Sequence, residues 1–372
     1  MDFEYSEEQQ LLADSVQRFI QKDYDFEARK KIVASDAGYS EDAWRTFAEM
    51  GLLGLPVPQD FGGFGGGALD LMAVMEAFGD GLVVEPYLPT VLGARIIAHA
   101  GAKAQQKAIL PALAEGRMKL ALAHTERNSR YDLAHVETTA TPSEGGWLLS
   151  GEKRVVLGAP LADKLIVSAA TSKRGFSLFL VDRTAPGVEV KAYRTFDEMR
   201  AGDVALDNVR VDKKALVGKK NAGLALVEEA VDFATALICA EAIGAMKSAN
   251  DATLEYLKTR KQFGVPIGTF QALQHRMVDM YITAEQARSM ACLAASKADS
   301  ASDADDRRRA ISAAKIKIAD ACRQISQEAI QLHGGMGMTE ELKVSHAFRR
   351  LTMIAQQFGD ADHHLERFAA LG

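Results

Sequence analysis

Three short stretches of this chain carry residue types that could do chemistry. The first is Phe358–Phe368, FGDADHHLERF, which packs Asp360, Asp362, His363 and His364 into one segment. Carboxylates beside imidazoles can bind a metal or exchange a proton. On a helix, however, adjacent histidines project about 100° apart. Asp360 with His364, at i,i+4, then offers two ligands, too few for a structural zinc site. No metal is expected, and the segment reads equally as a ligand or partner contact and as the start of a surface helix.

The second stretch is Arg260–His275, RKQFGVPIGTFQALQH, where an arginine, aromatic residues, glycines and a proline interrupt a helical pattern. Arg260 could offer a planar fork of donors to a phosphate, and Phe263 a flat apolar face to a ring. A helix-to-helix turn with a solvated arginine explains the same spacing. The third is Gln331–Glu341, QLHGGMGMTEE. Gly334 and Gly335 let backbone approach a ligand and turn N–H groups toward negative charge, although a glycine C-cap is the plainer account. A further run, Phe61–Gly67 (FGGFGGG), lacks the preceding strand and the lysine of a phosphate-binding loop. It is expected to be a flexible connection between helices.

These stretches need elements to hold them. At 372 residues, 48% hydrophobic and 25% charged, the chain can build two or three domains with substantial cores. A net charge of −6 gives no footprint for nucleic acid or an anionic membrane. Cys239, Cys292 and Cys322 are widely spaced and read as buried thiols of a reducing compartment. The acidic opening Met1–Glu4 shows no leader. No apolar run approaches the ~20 residues of a membrane helix, so a cytoplasmic protein is expected.

Periodicity divides the chain into three. Residues 1–119 read as an N-terminal α-helical domain. In it Ser6 and Gln9 form a capping box ahead of Leu12, Val16, Phe19 and Ile20, and Ser40 caps a helix through Trp44, Phe47 and Met50 that ends at Gly51. Residues 120–220 switch to short alternating runs such as KLIVSAA and FSLFLVD, an antiparallel β domain built as sandwich or barrel. Residues 221–372 return to long helices of a C-terminal four-helix bundle. One of these helices runs to Gly264 and the next starts after Thr269 as its N-cap. A third repeats Ile311, Ile318 and Ile325 at heptad spacing with Ala314 and Ala321 between them, after a charged loop at Ala301–Arg309. The expected class is α+β, mainly α.

In this order and at this separation the motifs resemble the acyl-CoA dehydrogenase family over nearly the whole chain, with RKQFG and QLHGGMG its most specific marks. Within the family the chain is similar to the small subunits of two-component members, such as that of pimeloyl-CoA dehydrogenase, through DYDFEARKK, GFGGG, RKQFGVPIGTFQALQHR and FGDADHHL. The resemblance implies FAD-dependent α,β-desaturation of an acyl-CoA thioester, a β-oxidation type of step, with electron-transfer flavoprotein as acceptor. In the family a partly desolvated carboxylate takes the α-proton while the β-hydrogen leaves as hydride to the flavin. The resemblance also implies that Arg260, Gln262, Phe263, Gln331, Gly334 and Gly335 reach across a subunit interface to the diphosphate and adenosine of the neighbour's FAD.

The departures from the family pattern lie elsewhere. The terminal base position, a glutamate in typical members, is Phe358, and the alternative base position on the first bundle helix is Ala234. The Thr-Glu-Pro and Gly-Ser-Asp turns that hold the flavin ring become Thr125, Glu126, Arg127 and Arg130, Tyr131, Asp132; Thr125 keeps its type. A flavin-side Trp and Thr become Val155 and Leu157. Three readings follow. The chain is the small subunit of a heterotetramer whose large acyl-CoA dehydrogenase subunit bears the base; or a self-sufficient enzyme with a relocated base, Asp232 or Glu241; or a non-catalytic scaffold.

Overall fold

Local signals decide where the helices begin. The Ser6 hydroxyl accepts from the Gln9 N–H (3.2 Å) and the Gln9 side chain accepts from the Ser6 N–H (3.0 Å), closing the capping box that starts α1 (Glu7–Asp23). After α2 (Phe26–Ala34), the Ser40 hydroxyl accepts from the Ala43 N–H and starts α3 (Glu41–Glu49). Trp44 and Phe47 turn the buried face of α3 inward, and the Trp44 indole donates to the Gly116 carbonyl (2.9 Å). Burying two such side chains stabilises by roughly 1.5–3 kcal/mol each. Three more helices follow, α4 (Ala68–Gly81), α5 (Tyr87–Ala100) and α6 (Lys103–Ala114).

This computed structural model describes residues 5–173 and 175–371; the acidic opening Met1–Glu4 lies outside the described residues. The chain divides into two compact units, residues 1–31, 68–83 and 235–372 in one and residues 32–67 and 84–234 in the other.

The β region carries β1 (Leu120–Ala123), β2 (Thr139–Ser143), β3 (Gly146–Leu157), β4 (Lys164–Ser172), β5 (Gly175–Asp182), β6 (Val188–Arg194), β7 (Arg200–Asp212) and β8 (Leu216–Val217). They form one sheet ordered β6-β7-β3-β2-β4-β5-β8, with β1 alongside β4. The hairpin-linked pairs are antiparallel as expected. The sheet is nonetheless mixed, because β1 and β2 each pair parallel with β4. The chain between β1 and β4 is long enough for that return, which no two-residue turn allows. Leu149, Leu165, Val167, Phe179, Val204 and Val209 form its core.

The C-terminal helices are α7 (Gly223–Thr259), α8 (Gln271–Ser300), α9 (Ala304–His333), α10 (Lys343–Gln356) and α11 (Ala361–Ala369). The heptad stripe is real: Ile311, Ala314, Ile318, Ala321 and Ile325 are all buried on α9, which packs against α8, α10 and α11. Cys239, Cys292 and Cys322 are buried free thiols. The helices α4 and α7 meet backbone to backbone. A Cβ on Gly79 would lie 1.9 Å from the Glu241 carbonyl, and one on Gly244 would lie 1.8 Å from the Glu76 carbonyl.

Three boundaries differ from expectation. α7 stops at Thr259 rather than Gly264, because Lys261–Gln262 (β9) pairs with Val265–Pro266 (β10) as a small hairpin. α8 has Phe270, not Thr269, at its N-cap; the Thr269 hydroxyl donates instead to Pro266 within a 3-10 turn. The run at Ala301–Arg309 is loop only at its start, since the Asp303 carboxylate caps α9 by accepting from the Asp306 N–H.

Candidate functional site

Arg260 closes the last turn of α7, its N–H donating to the Tyr256 carbonyl (2.8 Å). The chain then reverses at once. Phe263 and Gly264 take φ of +54° and +81°, the two left-handed positions that a two-residue hairpin turn of type I′ demands. Glycine accepts this freely, whereas a phenylalanine there costs about 1–2 kcal/mol. Phe263 is 89% exposed at the hairpin tip, its ring edge-to-face with Phe270 at 6.1 Å between centroids. Arg260, Gln262 and Gln331 are exposed too, and the Arg260 guanidinium makes no hydrogen bond or ion pair among the described residues.

The glycine pair ends α9. Gly334 takes φ +59° and ψ −143°, a combination open without strain only to glycine. A Cβ at Gly334 or Gly335 would meet nothing within 4 Å, so packing inside this chain does not require their small size. The Tyr256 ring stacks on the His333 imidazole with centroids 4.5 Å apart and planes 28° apart. His333 immediately precedes Gly334, and Tyr256 lies one turn before Arg260. The stack therefore brings the hairpin and the glycine turn to one end of the bundle. Burial holds His333 below the usual imidazole range, and its Nδ1 pairs with the Ala329 carbonyl at 2.8 Å. This half of the site offers a cation, a flat exposed ring and unobstructed backbone, which fits a nucleotide diphosphate.

Ala234 and Phe358, the positions to which the resemblance assigns the base, carry no carboxylate. Ala234 is fully buried on α7. Phe358 has φ +59° and is held by a clamp: the Lys315 ammonium donates to the carbonyls of Ile354 (2.7 Å), Ala355 (3.2 Å) and Gly359 (2.9 Å). Of the alternative bases, Glu241 is consumed by Arg350. Its two oxygens accept from Nε (2.5 Å) and Nη2 (2.6 Å) in a buried fork, which gives it a structural use. Asp232 is 1% exposed.

Of the positions that the resemblance places beside the flavin ring, exposed Thr125 lies next to Val155, since the Arg154 N–H donates to the Thr125 carbonyl (2.7 Å). A register shift between Lys153 and Val156 forces Val155 to φ +51°, unusual for a β-branched residue. Arg130 likewise takes φ +45°, so that turn keeps a glycine-like backbone with an arginine in it. Beneath them, the Lys153 ammonium donates to Glu126 (2.6 Å) and Ser168 (2.8 Å), all buried. Burial pushes Lys153 down to about 8, against the pull of Glu126. Burial alone would raise the Glu126 carboxyl, but Lys153 and Thr138 outweigh it and hold it low.

The Asp-His segment at the C-terminus has structural uses. Asp360 caps α11 by accepting from the His363 N–H (2.9 Å). His364 is buried, with Nδ1 against the Ser312 hydroxyl (3.3 Å) and Nε2 against the Phe358 carbonyl (3.1 Å). The glycine-rich run also reads as a connection. Its N–H groups are spent internally, those of Phe64, Gly65 and Gly66 on the carbonyls of Gly54, Val57 and Leu55, so none is left to cradle a phosphate. Sequence reasoning missed Tyr256, Lys315 and Arg350. Their partners lie far along the chain, and only the position of His333 beside the glycines gave any hint.

Residues 6–117, 121–209 and 221–370 match the N-terminal, middle and C-terminal domains of acyl-CoA dehydrogenases. An L-prolyl-[peptidyl-carrier protein] dehydrogenase of a Serratia species is 31% identical over 354 residues, 92% of this chain and 90% of that protein. A variant of the steroid acyl-CoA dehydrogenase Tcur3481-Tcur3483 superposes with a TM-score of 0.89 at 31% identity, over 98% of this chain and 97% of that one. The ChsE4-ChsE5 complex from Mycobacterium tuberculosis superposes with a TM-score of 0.91 at 27% identity, over 100% and 98%. This chain belongs to the acyl-CoA dehydrogenase family, whose cofactor is FAD.

Proposed function

We propose that this chain is one subunit of a two-component, FAD-dependent acyl-CoA dehydrogenase, supplying the diphosphate and adenosine contacts to FAD seated on a partner that carries the base. The observation that carries the proposal is the strained, 89% exposed Phe263 near an Arg260 whose guanidinium has no partner among the described residues. A conformation that costs stability and gains one edge-to-face contact, with Phe270, points to an external ligand.

In this reading Arg260 donates to the diphosphate, the Gly334–Gly335 backbone approaches it, and Phe263 and Gln262 face the adenosine. FAD, when bound, supplies the hydride acceptor for α,β-desaturation of the thioester. This chain contributes position and charge and no proton transfer, since Phe358 and Ala234 hold the two base positions. A partner surface is at hand: Val265, Phe270, Val278, Tyr281, Ile282 and Met338 are exposed apolar residues on and around the hairpin, the start of α8 and the glycine turn. Two structural relatives bear two-component names, Tcur3481-Tcur3483 and ChsE4-ChsE5. An electron-transfer flavoprotein is the acceptor this reading calls for.

Co-expression with an acyl-CoA dehydrogenase chain that bears the glutamate tests it. The complex purifies yellow and oxidises acyl-CoA, while the lone chain is colourless and inactive. Turnover by the lone chain, abolished by Asp232→Asn, would establish the self-sufficient reading instead.

A further inference from the structure

A cavity of about 610 Å³ opens in the first unit among α1, α4, α7 and α8, on residues the proposed reaction does not use. Among the described residues Asn250 Oδ1, buried on its wall, has no hydrogen-bond partner, and Tyr5 Oη and Glu76 Oε1 face only each other. Native interiors pair nearly all such groups. Asn250 is 8% exposed, so bulk solvent does not reach it freely.

The rest of the lining says what would satisfy them. Arg288 Nη1 donates to Glu76 (2.9 Å), and its guanidinium lies 5.5 Å from the Tyr5 ring, so this wall already holds one guanidinium between a carboxylate and an aromatic face. The other Glu76 oxygen meets the Tyr5 hydroxyl. Tyr281, 61% exposed, offers a second aromatic face at the rim, and exposed Glu285 beside it has no partner among the described residues. The remaining carboxylates are engaged: Asp14 by Gln10, Asp80 by Gln17 and Asp251 by Lys247. The walls are also rigid, because α4 and α7 touch at Gly79 and Gly244. Burial pushes the Glu76 carboxyl up, against the pull of Arg288 and the Tyr5 hydroxyl.

We infer that this cavity is a binding site for an alkylguanidinium or alkylammonium group, received between Glu76, Glu285 and the Tyr281 ring. The group arrives either on a basic side chain of a partner subunit or as a free amine.

Calorimetric titration with agmatine, which carries both cationic groups and no carboxylate, tests this on the purified chain. One saturable site is expected, weakened at least about tenfold by Glu76→Gln and several-fold by Tyr281→Ala, a rim residue whose loss leaves the fold intact by circular dichroism. Arg260→Ala leaves agmatine binding unchanged, which separates this site from the nucleotide contacts. If a partner supplies the cation, agmatine and Glu76→Gln both loosen the complex. If a free amine does, the complex is indifferent and still binds agmatine. Heats no larger than those of sodium chloride, or agmatine binding indifferent to both variants, would mean a water-filled cavity and overturn the inference.

Discussion

The Tyr256 ring lies on the His333 imidazole, centroids 4.5 Å apart, and this one contact couples the end of α7 to the end of α9. Stacked pairs contribute about 0.5–1.5 kcal/mol beyond area burial. Tyr256→Ala should therefore lower FAD affinity of the complex by up to about tenfold. Tyr256→Phe keeps the ring and should keep the affinity. Equilibrium dialysis against FAD, with helicity as control, reads both.

Phe263 separates stability from binding. Replacing it by glycine removes left-handed strain of about 1–2 kcal/mol and adds unfolded-state entropy of about 0.5–1 kcal/mol. The variant should melt no lower than the parent and up to about 1.5 kcal/mol more stably, yet hold FAD less well in the complex. A melting temperature that falls together with affinity would mean that Phe263 is an ordinary packing residue.

Acid should weaken the fold early. Burial, then the charge of Lys315, pushes His364 from 6.5 down to about 3, and burial, then Lys153, does the same to His124. Both groups have depressed folded values, so the unfolded chain binds more protons between pH 6.5 and 3 and stability falls with pH over that window. Between pH 6.5 and 5 the loss is about 1–2 kcal/mol for each histidine. Urea melts at the two values should show it, and His364→Gln should flatten the slope.

Glu241→Gln tests a structural assignment. Breaking the buried fork leaves the Arg350 charge uncompensated and should cost about 3 kcal/mol or more. Turnover of the complex per folded molecule should persist. Unchanged stability with lost turnover would mark Glu241 as a base.

What was legible in the sequence was local. Ser6 and Ser40 announced their helices because a cap needs only its next three residues, and Ile311, Ile318 and Ile325 announced a buried stripe through their period alone. The hairpin was hidden because Phe263 occupies a position where glycine or asparagine is the usual signal, so α7 read through to Gly264. The parallel pairing of β1 with β4, the Glu241–Arg350 fork across 109 residues and the Tyr256–His333 stack are long-range contacts that no spacing encodes. The site motifs were found by type; their strain and shared location needed coordinates.

The central claim is that this chain grips a cofactor seated on another. FAD affinity of the co-expressed complex with Arg260→Ala measures it most directly. Losing a charge-assisted contact to the diphosphate is worth about 1.5–3 kcal/mol, so affinity should drop about 10- to 100-fold while the assembly keeps its mass. An affinity equal to that of the parent complex would contradict the account.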